Sequence, residues 1–229
     1  LQWLIDTHTR LLQYQQLVRD LNTRLRISIE IDVGLHRGGI SKPKHLRPLL
    51  GTIDGDREHL IFSGFMGYDP HVSRSGKLFI PEQKALARVL KRYAAFIAFV
   101  KSEFPHLYSD RLTFNGAGSK TYTYYETIEL LNDISVGSAL LKPSNFDHES
   151  LGNHRPAMFI ATPVLKKHEG VAIPFLEFLA PLMKRLKGSW GTTIFIYGGY
   201  WKALPHSPQG LVTNSLYGRS TNQEMLNAP

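Results

Sequence analysis

The sequence predicts an α/β protein: a β/α barrel of which about five strands are present, followed by part of a mainly β domain. Three observations carry this. Apolar runs suited to strands alternate with helical stripes as far as residue 141. One of those runs, residues 26–33, alternates strictly, with Ile27, Ile29, Ile31 and Val33 on one face and Ser28, Glu30 and Asp32 on the other. After residue 141 the composition shifts, and Pro143, Pro156, Pro163, Pro174, Pro181, Pro205 and Pro208 break the chain into shorter segments.

Taken in order, residues 1–6 read as a short strand, and 7–22 as a helix with Leu11, Leu12, Tyr14, Leu17, Val18 and Leu21 on one stripe. A helix over 44–53 follows the 26–33 strand, then a strand over 60–66. A long helix over 82–104 is opened by Pro81 and closed near Pro105. Strands over 112–115 and 133–140 flank a short helix around 123–131. Alternating strands and helices with short connectors imply a parallel sheet, and closing such a sheet makes a barrel of the TIM type. Such a barrel needs eight strands. About five are found, so the chain reads as the C-terminal part of a barrel, residues 1–141, followed by part of a β-rich domain, residues 142–229. In that second part 157–165 and 192–197 read as strands and 174–187 as a packed helix.

Composition narrows the function. With 229 residues, 42% apolar and 20% charged, the chain has the make-up of a folded domain. It holds no cysteine, which excludes disulfides, thiol nucleophiles and cysteine-ligated zinc within it and fits a reducing, cytoplasmic compartment. No uncharged apolar run is long enough to span a bilayer, and the N-terminus lacks the order of a signal peptide. The 27 basic residues exceed the 19 acidic ones by 8, but they are scattered rather than blocked. This argues against nucleic acid or a membrane surface as partner and leaves affinity for a phosphorylated small molecule.

In a β/α barrel the reacting groups gather where the strands end, so the residues after each strand are the candidates. After the 26–33 strand, Gly34-Leu35-His36-Arg37-Gly38-Gly39 holds a guanidinium suited to a phenolate, carboxylate or phosphate; the plainer alternative is a surface arginine in a flexible loop. After 60–66, Gly67-Tyr68-Asp69-Pro70-His71 offers a flat ring, a carboxylate and an imidazole, or simply a buried tyrosine before an Asp-Pro turn. Gly116-Ala117-Gly118-Ser119-Lys120-Thr121 and Val136-Gly137-Ser138 are small-residue turns whose N–H groups can close on phosphate oxygens, though such turns are also commonplace. The aromatic turn Tyr197-Gly198-Gly199-Tyr200-Trp201 points to packing or a hairpin. Glu30 and Asp32 face away from the apolar side of their strand, as structural hydrogen-bonding groups or as a catalytic pair.

In this order, residues 29–39, 62–69, 116–121 and 136–138 resemble the D-serine dehydratase-like and D-threonine aldolase-like branch of the alanine racemase fold, pyridoxal 5′-phosphate enzymes of fold type III. The resemblance spans nearly the whole chain up to 140 and continues more loosely beyond. It implies a D-amino acid as substrate and either loss of a β-hydroxyl or retro-aldol cleavage, with amino-acid racemisation or a non-catalytic cofactor-binding role as alternatives. It implies that Arg37 approaches the phenolic oxygen of the cofactor and that Tyr68 stacks on its pyridine, the two candidate catalytic residues. Gly118, Ser119, Thr121, Gly137 and Ser138 match the phosphate loops, and Ser135 falls near the position facing the pyridine nitrogen, where racemases carry arginine. No lysine here matches the family's Schiff-base lysine, which lies on an earlier strand. The family's metal ligands, for zinc or manganese, lie in a region beyond this sequence, so no metal residue is assigned. A homodimer is the assembly the resemblance implies.

Overall fold

The computed structural model describes residues 1–143, 146, 148–157, 161, 163–169, 178, 192–197, 200–201 and 226–227. The chain divides into two compact units, Leu1–Ala157 and Met158–Pro229.

The first unit is a parallel sheet with helices on one face. Its strands are β1 (Trp3–Ile5), β2 (Leu25–Glu30), β3 (Leu60–Met66), β4 (Thr113–Gly116) and β5 (Asp133–Ile134), paired in sequence order and all parallel. The register puts Ile5 beside Ile29, Ile29 beside Phe65, and Phe65 beside Phe114. These four form a buried row under the helices. The opposite face carries a second row in register, Glu30, Met66, Asn115 and Asp133, polar except for Met66. That face lines a groove of about 650 Å³ with Gln2, Leu4, Ser28, Thr113 and Ser135 among its walls. The apolar face and polar face of β2 and of β4 follow directly from the two-residue side-chain period.

Helix α1 (His8–Asp20) starts where the Thr7 hydroxyl accepts the Arg10 N–H, and it buries Leu11 and Val18. Helix α2 (Arg47–Asp54) buries Leu49, Leu50 and Ile53 and is preceded by a 3₁₀ turn, Pro43–Leu46. Helix α3 (Glu82–Glu103) follows Pro81, has Glu82 in its first turn and buries Ala85, Val89, Tyr93, Phe96, Ile97 and Val100, a single stripe at helical spacing. The fully buried Tyr93 brings its hydroxyl within 3.0 Å of the Phe65 carbonyl and 2.9 Å of the Asn115 carbonyl. The helix is thereby pinned to the ends of β3 and β4. Burial, with the charge of Asp133 behind it, holds the Tyr93 phenol far above its ordinary range.

Two expectations are corrected. The strand over 133–140 is only Asp133–Ile134: after Ser135 donates its N–H to the Gly116 carbonyl, the chain turns into a 3₁₀ segment, Ser138–Leu140. The helix around 123–131 is a single 3₁₀ turn, Tyr122–Tyr125, because Thr121 and Tyr125 send their hydroxyls into the interior and fix the backbone there. In the second unit, β6 (Val164–Glu169) pairs antiparallel with β7 (Thr192–Ile196), and β8 (Tyr200–Trp201) with β9 (Leu226–Asn227). All of the helix expected over 174–187 but residue 178, and residues 158–160 and 162 of the strand expected over 157–165, lie outside the described residues, as do Gly198 and Gly199 of the aromatic turn; Val164 and Leu165 of that expected strand open β6.

Two details govern stability. The register of β2 on β3 jumps between Ile27 opposite Phe62 and Ser28 opposite Gly64, so Ser63 is bulged. Gly64 takes φ +125°, and a Cβ there would lie 1.9 Å from the Thr113 carbonyl oxygen. We expect Gly64→Ala to cost roughly 3 kcal/mol or more in urea-melt stability, since both strain and backbone displacement add; a loss under about 1 kcal/mol would contradict the bulge. Elsewhere in the unit, buried Asp56 accepts from Gln15 (2.8 Å), Arg19 (2.7 Å) and His59 (2.8 Å). Burial pushes its carboxyl up, but these donors outweigh it and hold it at about 2 against an ordinary 3.8. A depressed carboxyl lends stability that is complete above the unfolded value and is lost as pH falls through the folded one. Asp56→Asn should therefore flatten the fall in stability between about pH 4 and pH 2; acid denaturation curves that superimpose would refute this.

Candidate functional site

The parallel register delivers the ends of β2, β3, β4 and β5 to one edge of the sheet, and the four small-residue turns follow them. The first turn is closed at its neck. Ile40 donates its N–H to the Glu30 carbonyl and accepts that of Asp32. A Cβ on Gly39, at φ +86°, would sit 2.8 Å from the Ile31 backbone, so only glycine closes the neck. Within it, the buried Asp32 accepts the N–H groups of Gly34 (2.9 Å) and His36 (3.0 Å) on one oxygen and meets His36 Nδ1 at 2.6 Å on the other. Burial raises its carboxyl, but these donors prevail and set it below its ordinary value. The capped turn holds His36 at φ +58° and presents its neighbour Arg37.

Arg37 and Tyr68 meet. The guanidinium carbon lies 4.7 Å from the centroid of the Tyr68 ring, and Nη2 is 3.4 Å from Glu30 Oε1. The Tyr68 ring in turn lies against the third turn, for a Cβ on Gly118 would come within 2.8 Å of its Cε2. Gly118 heads a turn whose carbonyl accepts the N–H groups of Thr121 and Tyr122, both at 3.0 Å. Ser119 then ties the third turn to the fourth: its Oγ accepts the N–H of Gly137 (3.3 Å) and of Ala139 (3.1 Å). The N–H groups of Ser119, Lys120 and Ser138 donate to no acceptor among the described residues. An arginine, a phenol ring and a set of undonated amides thus stand along one edge.

Five further positions complete the picture. Thr121 does not present its hydroxyl to this edge: it is fully buried and donates to Asp69 Oδ1 at 2.7 Å. Asp69 Oδ2 accepts from the Tyr125 hydroxyl at 2.5 Å. Complete burial pushes the Asp69 carboxyl above its ordinary value despite these two donors, and burial, reinforced by the Asp69 contact, drives the Tyr125 phenol upward. Ser135 donates its hydroxyl to Asn115 Oδ1 at 2.9 Å, while Asn115 Nδ2 donates to Asp133 at 2.8 Å, so Ser135 belongs to the polar row of the sheet. The ammonium of Lys120 rests on the Phe146 ring, 4.6 Å from its centroid. His71 sits against Gly34 with its Nδ1 buried and unpartnered; burial lowers its imidazole and the nearby carboxylates of Asp69 and Asp32 offset this in part.

Strand alternation groups Asp32 with Glu30, but β2 ends at Glu30 and Asp32 caps the turn. The sequence contained a signal for that cap: an aspartate two residues before glycine at the start of a turn accepts backbone N–H groups by preference. The roles of Thr121 and Tyr125 as partners of Asp69 carry no sequence signal, because 56 residues separate Asp69 from Tyr125. Among the described residues no group of three histidine, cysteine or acidic side chains could hold a metal ion, and no helix is long and apolar enough to cross a membrane.

The fold is shared with solved structures. D-threonine aldolase from Filomicrobium marinum superposes with a TM-score of 0.56 at 16% identity, over 71% of this chain and 44% of that one. Alanine racemase from Bacillus anthracis, with bound L-Ala-P, gives 0.57 at 16% over 76% and 43%. Alanine racemase from D-cycloserine producing Streptomyces lavendulae gives 0.57 at 17% over 76% and 44%. At such identities the likeness is one of fold, and this chain spans less than half the length of each. No curated protein matches the chain. Residues 1–144, however, match the family described as alanine racemase, N-terminal domain, so the chain belongs to that family, whose membership implies pyridoxal 5′-phosphate.

Proposed function

We propose that this chain supplies the ring-holding and phosphate-holding side of a pyridoxal 5′-phosphate site, in a lyase acting on a D-amino acid by β-elimination or retro-aldol cleavage. The observation that carries this is the contact of Arg37, Tyr68 and Gly118, with undonated N–H groups immediately beyond. The donor set fits the group at both ends. A flat aromatic face and a planar cation suit a pyridine ring bearing a phenolate. Unpaired amides beside the Ser119 and Ser138 hydroxyls suit the oxygens of a phosphate monoester.

When bound, the cofactor supplies a sink for the electrons released at the substrate's α-carbon. Arg37 places permanent positive charge at the phenolate end, and Glu30, 3.4 Å from Nη2, limits where that guanidinium turns. Tyr68 would offer its face to the ring and keep water from that side. Gly118, Ser119, Gly137 and Ser138 form the phosphate cradle, with Ser119 bridging its halves. Thr121, which the resemblance places among the phosphate residues, acts here from behind the cradle. Ser135 in place of an arginine leaves the pyridine nitrogen a weaker partner, which favours a lyase over a racemase. The presence of a D-threonine aldolase among structures of this fold is compatible with that choice. A homodimer is the proposed assembly.

Tyr68→Ala should weaken cofactor retention by roughly 2- to 12-fold, the equivalent of about 0.5–1.5 kcal/mol for a stacked ring, measured by equilibrium dialysis. Arg37→Lys should lower formation of 2-oxo acid or of glycine from a D-amino acid while leaving the melting temperature within a degree or two of the wild-type value. Unchanged retention in the first variant would remove the stacking assignment, and unchanged turnover in the second would return Arg37 to the surface. Racemised substrate as the product would replace lyase with racemase.

A further inference from the structure

Asp69 follows Tyr68 directly, has no exposed surface, and has each carboxylate oxygen taken by one hydroxyl from the segment after β4. Burying a carboxylate is costly and is not needed to satisfy two hydroxyls, which smaller neutral acceptors would serve. What the carboxylate reaches explains its presence. Thr121, its 2.7 Å partner, donates its N–H to the Gly118 carbonyl at 3.0 Å, and its Oγ1 lies 3.4 Å from that same oxygen. Tyr122 adds a second N–H at 3.0 Å. The Gly118 carbonyl is therefore held inward, which leaves the N–H groups of Ser119 and Lys120 on the other side of the turn without an acceptor. Asp69 thus grips the back of the turn whose front edge Tyr68 touches.

We infer that Asp69 is a positioning residue that fixes the Gly118–Thr121 turn at a set distance from the Tyr68 ring, so that the site selects a phosphorylated pyridine over the same pyridine without its phosphate. The inference rests on the cofactor reading above and names what makes it phosphate-selective. Two adjacent residues, one carrying the ring platform and the other locking the amide cradle, give a single backbone link between the two ends of the ligand. Loss of the lock lets the turn relax and loosens the amides, while the ring platform remains.

The test compares pyridoxine 5′-phosphate with pyridoxine by isothermal titration calorimetry, in wild type, Asp69→Asn, Thr121→Val and Tyr125→Phe. Wild type should prefer the phosphate ester. Thr121→Val and Asp69→Asn should each cut that preference roughly five- to tenfold, the scale of one charge-assisted hydrogen bond, with pyridoxine affinity unchanged within twofold. Tyr125→Phe should cut it by less, because no hydrogen bond among the described residues joins Tyr125 to Gly118. If Asp69→Asn fails to fold, Thr121→Val alone decides, since it removes one hydroxyl and keeps the carboxylate. A ratio that stays at the wild-type value, or a loss shared equally by both ligands, overturns the positioning role while leaving the cofactor reading intact. A wild type that shows no preference for the phosphate ester overturns both.

Discussion

The register of β2, β3 and β4 is the constraint on which the rest depends. Ile29, Phe65 and Phe114 stand in one row, and the chain leaves each strand in the same direction. Three residues past that row are Asp32 and Tyr68, and four residues past it is Gly118. Parallel strands with matched steps therefore bring a capped arginine turn, an aromatic ring and an amide-rich turn to one edge, and the hydrogen bonds between the turns act on loops the register has already gathered. Antiparallel pairing would send alternate turns to opposite ends. The Ser63 bulge and the Tyr93 hydroxyl, bridging the carbonyls of Phe65 and Asn115, hold this register in place.

Polar burial at the strand ends serves two different purposes, and the surroundings of the two aspartates separate them. Asp32 is met by two backbone N–H groups and an imidazole, so its charge is well satisfied and its carboxyl is lowered. Asp69 is more deeply enclosed and receives only two hydroxyls, so burial wins and its carboxyl is raised. The first carboxylate shapes the loop in which it sits. The second joins two loops that are far apart in sequence. Neither lies on the exposed side where Arg37 stands, which is consistent with both working through neighbours.

Much of the first unit was legible in the sequence because apolar periodicity reports burial. The 26–33 alternation and the α3 stripe, for example, correspond to faces that pack. Where reading failed, tertiary hydrogen bonds had overridden local preference. Residues 133–140 look extended, yet Ser119 draws in the N–H groups of Gly137 and Ala139 and bends the segment. Thr121 looks like a phosphate-loop hydroxyl, yet a carboxylate 52 residues earlier claims it. The turns after β2 and β3 were legible as candidates one at a time. That Arg37 would lie on Tyr68 was not, since nothing local joins two residues 31 apart, and only the parallel register does so.

The central claim is that four strand ends converge on a phosphorylated pyridine. Amide chemical-shift mapping of the labelled chain during titration with pyridoxine 5′-phosphate tests it most directly. The account predicts saturable shifts at the N–H groups of Ser119, Lys120 and Ser138 together with the Arg37 Nε–H. Shifts absent from all four, or confined to residues after 157, would contradict it.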